Sequence, residues 1–378
     1  MTPLAGIKVV EVAQNLAGPF CGEILGSLGA DVIKVEKPQG DDCRAWGPPF
    51  FRGSATAFNN VNLNKQSVSL DLEDPNAHAS LLRLIAESDV LVHNMRPGAM
   101  EAFNLGPDTL RKRFPRLIYG AISGYGAAGP YSARPGYDAV VQATLGIFHL
   151  NGDPNGQPAR IGPSVLDLGS GMWMALGILA ALRHRDQTGD GTVVDTSLFE
   201  TGLSFVAGPI AAATATGQEP ARLRAGIGKV VPFDAFPTSD GEVVVAAAND
   251  RLFAKFSKLL GRPEWATDER FRTNADRSKY KQELLGQIAT IMRGKSSNDW
   301  LAQLEKVGIP SARINTLLQA LAEPQTKAVD ILQEEDGVSF CRLPLRFDAQ
   351  RPPIMRFAPA IGEHNEEILG VGVTQTRA

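Results

Sequence analysis

Ser164-Val165-Leu166-Asp167-Leu168-Gly169-Ser170-Gly171 leaves one carboxylate at the mouth of an otherwise apolar helical run, Met172 to Leu182. Two chemistries fit Asp167. An aspartate just before a helix is an ordinary N-cap, worth ~1 kcal/mol through the backbone N–H groups it satisfies. The same geometry suits a nucleophile, because a helix N-terminus keeps a carboxylate ionised at neutral pH and aims N–H groups where an oxyanion would develop. A carboxylate is a weak nucleophile, but against an activated thioester it can form a mixed anhydride.

Other motifs narrow the chemistry by failing. Gly124-Tyr125-Gly126-Ala127-Ala128-Gly129 fits G-x-G-x-x-G after a strand-like run, but Pro130 and Pro135 break the helix that should follow. No acidic residue marks a second strand end ~20 residues on, so the segment reads as a tight, substrate-lining turn. There is no GxxxxGK[ST], no G-x-S-x-G, and His78, His93, His149, His184 and His364 are scattered without metal-ligand spacing. ATP-site, serine-hydrolase and metal chemistry therefore have no support. Asn15-Leu16-Ala17-Gly18-Pro19 and Asn94-Met95-Arg96-Pro97-Gly98 each follow a strand-like run, where open α/β sheets bind ligands. Lys37, Arg44, Lys65 and Arg96 lie in different loops and could collect around one phosphate-bearing ligand, or each could be a solvated surface charge.

The elements that must hold these residues alternate. Strand-like runs at Ile7–Val12, Asp31–Glu36, Ser67–Leu72, Val90–His93 and Leu117–Ile122 are mostly followed by amphipathic helical patterns, which predicts an α/β fold with a largely parallel sheet. A long helix is expected from about Gly169 to Arg185, then a turn at Gln187–Gly191 and a strand over Thr192–Ser197. Thr214 to Lys229 shifts to Gly, Pro, Arg and small residues, as in a linker or active-site loop. A second domain begins near Val230 with a hairpin, Phe233–Thr238 and Val243–Ala247, followed by helical patterns at Asp250–Leu260, Lys279–Met292 and Ser297–Val307.

Composition bounds the rest. With 378 residues, 43% hydrophobic and 21% charged, the chain can bury a large core and is long enough for two domains. A net charge of -3 gives no long-range attraction to nucleic acid or an anionic membrane. Cys21, Cys43 and Cys341 are few, separated and without CxxC spacing, so a reducing compartment is expected and the cytoplasm with it. Met1 to Gly6 has no export-signal pattern. The apolar run Leu168–Leu182 falls short of the ~20 residues a bilayer span needs, so it is expected to be a buried helix.

Taken together, these segments resemble the class III CoA transferases, typified by the formyl-CoA and carnitine CoA transferases. The resemblance runs from Leu4-Ala5-Gly6-Ile7-Lys8-Val9-Val10-Glu11 through Leu28-Gly29-Ala30-Asp31-Val32-Ile33-Lys34-Val35-Glu36 and Val92-His93-Asn94-Met95-Arg96-Pro97-Gly98. It continues at Ile122-Ser123-Gly124-Tyr125-Gly126, Gly136-Tyr137-Asp138, Thr188-Gly189-Asp190-Gly191 and Ile361-Gly362-Glu363-His364. It implies a ring-shaped α/β subunit in an interlocked homodimer. Residues 1–213 would form a large Rossmann-like CoA-binding domain, 214–229 an active-site loop, 230–325 a smaller α+β domain, and 326–378 a segment returning to the large domain. The family's catalytic aspartate falls on Asp167. Its CoA contacts fall on Asn15, Leu16 and Ala17, on Lys37 toward the phosphates, on Leu70 near the adenine, and on Asn94, Met95 and Tyr137 along the pantetheine. A CoA thioester would be the substrate, with no permanently bound cofactor.

Two departures stand out: formyl-CoA transferase has an arginine where this chain has Ala102, and a glycine run where this chain has only Arg224-Ala225-Gly226-Ile227-Gly228. Arg96 is the nearby cation that could replace the missing arginine. The resemblance also points to succinyl-CoA as donor and a dicarboxylate as acceptor, with Arg44, Arg134, Arg160 and Arg224 available to clamp a distal carboxylate. Two other readings remain: an α-methylacyl-CoA racemase of the same fold, whose histidine has no counterpart in Gly136-Tyr137-Asp138, and a non-catalytic CoA-binding protein.

Overall fold

The computed structural model describes residues 2–370. Within them the chain divides into two compact units, one formed by residues 2–145, 161–210 and 327–370, the other by 146–160 and 211–326. Residues 146–160 thus join the second unit although they lie inside the expected 1–213 segment, and 214–229 belongs to that unit as well.

The first unit is built on six parallel strands: β1 (Lys8–Val12), β2 (Asp31–Glu36), β3 (Lys65–Ser69), β4 (Val90–His93), β5 (Ile118–Ser123) and β6 (Val193–Ser197). Their order across the sheet is β3-β2-β1-β4-β5-β6. Central parallel strands are covered on both faces, so β1 and β4 are buried along nearly their whole length, β4 through Val90, Leu91 and Val92 and β1 through valines that flank one charged residue, Glu11. β3 is an edge strand, and the C-terminal segment covers it. His364 N donates to Ser67 O at 3.0 Å and Ser69 N to Asn365 Oδ1 at 2.8 Å. Those contacts occupy backbone groups that would otherwise template a foreign strand.

Three helices matter for the site. α1 (Ala17–Ser27) follows β1, α2 (Asp138–Thr144) follows the glycine-rich segment after β5, and α3 (Val165–Thr188) is the long central helix. α1 is buried almost throughout because Gly22 removes the side chain that would collide with the Glu11 carboxylate beneath it. α3 starts four residues before the expected Gly169 and has 24 residues, enough by length and composition to cross a bilayer, contrary to the shorter run read from the sequence. Half of its most apolar window is buried inside this unit, where it packs on α1 and the sheet.

The second unit carries a three-stranded antiparallel sheet, β7 (Phe233–Pro237), β8 (Glu242–Ala246) and β9 (Ser311–Arg313), with β8 in the middle. The expected hairpin is present. Its alternate residues Phe236, Val243 and Val245 pack with Phe253, Phe256, Ile288, Met292, Trp300 and Leu304 in a separate core.

Beneath α1 lies an ion cluster with no exposure to solvent. Glu11 receives Lys34 Nζ at 3.2 Å and Lys65 Nζ at 2.7 Å, all three side chains 0% exposed. Burial pulls Lys34 down, but Glu11, Asp41 and Glu36 outweigh it and hold the ammonium above its ordinary range. Burial prevails at Lys65, bringing it to about 8 against the opposing pull of Glu11. Removing the shared carboxylate leaves two ammonium groups facing each other in a dry interior. Glu11→Gln should therefore cost ~3–5 kcal/mol, measured as a fall in the urea midpoint; a loss under ~1 kcal/mol would show that the cluster is not what secures β1.

Candidate active site

The strand order makes β1 the neighbour of both β2 and β4, so the chain leaves β1 toward one side of the sheet and later returns to the other. Doubly wound sheets bind ligands outside the carboxyl ends of the strands flanking such a reversal. Here a cleft of about 280 Å³ opens there. Val12, Val35, Leu70, Leu72, Met95 and Phe103 give it apolar walls, and Gln14, Lys37, Asp71 and Glu73 give it polar groups. The loops after β1 and β4 are tied together by Asn94: its Nδ2 donates to Gln14 O at 2.7 Å, and Gln14 N donates to its Oδ1 at 3.0 Å.

The framework under the cleft reaches up into the loop after β1. Lys34 Nζ donates to Asp41 Oδ2 at 3.0 Å and to Ala13 O at 2.8 Å. Asp41 in turn accepts the Asn15 N–H with both oxygens at 3.1 Å. Asn15 is held at φ 71°, in the left-handed region that a non-glycine residue occupies only at a cost. Its Oδ1 is buried without a hydrogen-bond partner.

Asp167 lies inside the first turn of α3, not before it. Its position therefore rules out the N-cap reading; the N-cap residue, Ser164, makes no side-chain capping bond either. The acceptor comes from another helix. Asp138 Oδ2, on α2, accepts Leu166 N–H at 2.7 Å and Asp167 N–H at 3.3 Å, while its Oδ1 accepts Gln142 Nε2 at 2.6 Å. Those amides are thus already taken, which overturns the expectation that they await an oxyanion.

Among the described residues no donor reaches the Asp167 carboxylate. Burial first, and the charge of Asp138 second, raise it to about 7. The expectation of a carboxylate fully ionised at neutral pH is corrected accordingly: desolvation outweighs the helix dipole, because Asp138 has already neutralised the helix end. Gly171, one turn further along, lets α3 rest on α1. A Cβ there would stand 2.7 Å from Ala17 O. Residues four apart share a helix face, which sets Asp167 on the side of α3 that Gly171 packs against the start of α1, just after Asn15 and Leu16.

The remaining expected residues divide by location. Lys37, Leu70 and Met95 line the cleft, with Lys37 also paired to Asp42 at 2.6 Å. Asn94 braces the cleft's loops, Arg96 is exposed beside them, and Tyr137 is exposed immediately before Asp138. Arg44 is an internal strut rather than a substrate clamp: it pairs with Glu36 at 2.6 Å, donates to Pro359 O and stacks on Phe58. Lys65 is likewise consumed by Glu11, so these two cations cannot gather around a ligand phosphate. Arg224 and Arg160 lie in the second unit, Arg224 engaged with Glu242 at 2.6 Å. Arg134 lies over the Tyr131 ring at 3.8 Å and has no ion-pair partner among the described residues.

Asp138, Gln142 and Asp41 escaped the sequence reading. The signal for Asp138 was a carboxylate opening a helical pattern right after Gly136-Tyr137; its target, 28 residues away, left no local trace.

Comparison with known proteins places this arrangement. Residues 4–365 match a family model described as CoA-transferase family III. Succinyl-CoA:glutarate CoA-transferase of Homo sapiens is 36% identical over 374 residues, spanning 97% of this chain and 85% of that protein. Succinate--glutarate CoA-transferase of Agrobacterium fabrum is 35% identical over 386 residues, spanning 97% and 95%. Among solved structures, a CAIB/BAIF family protein from Brucella suis has a TM-score of 0.88 at 38% identity, spanning 98% of this chain and 99% of that one.

The raised Asp167 has a thermodynamic signature. Its folded value, about 7, exceeds its unfolded value, so from about pH 4 to 7 the native state keeps a proton the unfolded state has lost. Its contribution to stability therefore falls as pH rises through that window and levels off above it. Asp167→Asn removes the dependence and should gain on the parent protein by on the order of 1–3 kcal/mol between pH 4 and pH 8. Thermal melts of both proteins across that range would show it; a constant Tm difference would contradict the assigned environment.

Proposed function

The chain belongs to CoA-transferase family III and is an enzyme of that family, and on this premise we propose that it moves CoA from succinyl-CoA to a dicarboxylic acid through covalent intermediates on Asp167. One observation carries the reading: a half-buried carboxylate that accepts no hydrogen bond among the described residues, on the face of α3 that Gly171 packs against the start of α1. Poor solvation makes such an oxygen a better nucleophile once it is ionised.

An Asp167 oxygen attacks the acyl carbon of the donor thioester, the C–S bond breaks, and CoA leaves as thiolate. The thiolate attacks the aspartyl carbon of the mixed anhydride, releasing the donor acid as its carboxylate and leaving an aspartyl-CoA thioester. The acceptor carboxylate displaces CoA again to give a second anhydride. Attack of the thiolate on the acceptor acyl carbon then forms the new thioester and frees Asp167. Proton count and thioester bonds balance over the cycle, and no nucleotide hydrolysis enters.

The Rossmann-like cleft suits the adenosine end of the coenzyme, with Leu70 at the base, Lys37 at the phosphates, Asn94, Met95 and Tyr137 along the pantetheine, and Asn15, Leu16 and Ala17 beside the thioester. The succinyl and glutarate specificities named for the relatives support a dicarboxylate acceptor. With Arg44 and Arg224 held by Glu36 and Glu242, Arg134 is the arginine of the first unit best suited to grip a distal carboxylate. A homodimer is proposed as well. Met172, Trp173 and Leu176 are 58%, 44% and 56% exposed on one face of α3, an apolar surface for a second copy to cover. The free, buried thiols Cys21 and Cys43 suit a reducing compartment such as the cytoplasm.

Two measurements test this. Enzyme incubated with succinyl-CoA and quenched with hydroxylamine or borohydride should carry a modification confined to Asp167 by peptide mass spectrometry, and Asp167→Asn should lose at least ~10³-fold in kcat. Full transfer by that variant would refute the covalent route. Arg134→Ala should raise KM for dicarboxylate acceptors ~10-fold or more while leaving monocarboxylates nearly unchanged. An equal effect on both acid classes would remove Arg134 from acceptor recognition.

A further inference from the structure

Two carboxylates meet at the first turn of α3, Asp138 from α2 and Asp167 from α3 itself, and the protein treats them oppositely. Asp138 is 4% exposed and fully engaged: one oxygen accepts both amides, Leu166 N–H at 2.7 Å and Asp167 N–H at 3.3 Å, and the other accepts Gln142 Nε2 at 2.6 Å. Gln142 is itself fixed, its Oε1 accepting Ile161 N–H at 3.1 Å. Asp167 has none of these bonds. One residue therefore anchors the peptide that bears the other's side chain and at the same time places a fixed negative charge beside it.

We propose that Asp138 is a positioning residue for Asp167: it holds the nucleophile's backbone through the helix amides and, by its charge, sets the pH range in which the nucleophile works. This inference rests on Asp167 being the nucleophile. The electrostatics single out Asp138. The first turn of α3 carries no other charged side chain, and two neighbouring helical segments present Glu200 and Glu23, turned to Ser197 at 2.6 Å and Ser27 at 2.8 Å. Besides burial, Asp138 is the one charge that registers at Asp167. A nucleophile poised near working pH combines a usable ionised fraction with high basicity, whereas a fully stabilised carboxylate would be abundant but unreactive.

Asp138→Asn separates the two roles, because the amide oxygen can still accept the Leu166 and Asp167 N–H groups while the charge is gone; the Gln142 bond is lost in Asp138→Asn and Asp138→Ala alike, so it does not distinguish them. Enzyme carrying 13C-carboxyl aspartate gives a direct readout, the Asp167 signal being assigned by its loss in Asp167→Asn. In the parent enzyme its titration midpoint is expected near 7. In Asp138→Asn the midpoint should drop by about one pH unit and the acid limb of kcat/KM should move with it, raising the pH 6 to pH 8 activity ratio up to ~10-fold. Asp138→Ala removes the accepting oxygen too and should lose kcat ~10-fold or more beyond Asp138→Asn, with KM for acyl-CoA little changed. A midpoint and acid limb unmoved in Asp138→Asn, or identical kcat in the two variants, would overturn the proposal. Should Asp138→Asn fail to fold, the parent enzyme still decides: an Asp167 midpoint near 4 would overturn it. If the signal shifts as expected but the enzyme transfers no CoA, the functional reading fails and the control of Asp167 by Asp138 stands.

Discussion

Glu11 near the carboxyl end of β1, clasped by Lys34 and Lys65 where no water reaches, is the interaction on which the rest of the unit leans. A charge in that position is tolerable only if its partners are present and themselves satisfied. Lys65 adds Pro19 O and Asn62 Oδ1, while Lys34 adds Ala13 O and Asp41. The cluster therefore joins three parallel strands to the start of α1 and to the loop after β1. Through Asp41 it holds Asn15 in its left-handed conformation at the edge of the cleft.

The unit sorts its carboxylates by how completely they are answered. Glu36 has Arg44, Ser67 and the Asp41 amide as donors; burial pushes it up, and Arg44, the charge of Lys34 and Ser67 outweigh that and hold it below the usual carboxylate range. Asp138 has three donors. Asp167 is left desolvated and next to a like charge. Strong pairing makes a carboxylate a structural element with little residual basicity; withholding donors leaves it reactive, at the expense of stability. Such a group persists where the surrounding fold over-determines its position, and here α3 is locked to α1 through Gly171 and to α2 through Asp138.

Much of the sheet was legible in the chain. The runs at Asp31–Glu36 and Val90–His93 coincide with β2 and β4, because each is a short β-branched and aliphatic stretch bounded by turn residues, although β2 also carries Lys34 and Glu36. The run expected at Ser67–Leu72 starts two residues and ends three residues later than β3, since Leu70 and Leu72 continue the apolar pattern into the cleft wall after strand pairing ends. The start of α3 was misread for a different reason. Ser164, three residues before Asp167, is an N-cap type of residue, but its side chain makes no capping bond and the cap is supplied across space by Asp138. Arg44 and Lys65 looked available because a charge in a loop or at a strand end is usually solvated; their partners are Glu36, eight residues back on β2, and Glu11, on β1 with β2 in between.

By itself the sequence determined the alternation of strands and helices, the two strand-end loops around Asn15 and Asn94, and the candidate nucleophile, all of which rest on residue type and spacing within a few positions. Only the tertiary structure decided which cations were free to meet a ligand, which carboxylate caps α3, and how exposed Asp167 is to solvent. Those are properties of groups brought together in space, as Asp138 is with Leu166 and Lys65 with Glu11. The ionisation and reactivity of a side chain depend on the groups it meets in space, and neighbours along the chain do not encode them.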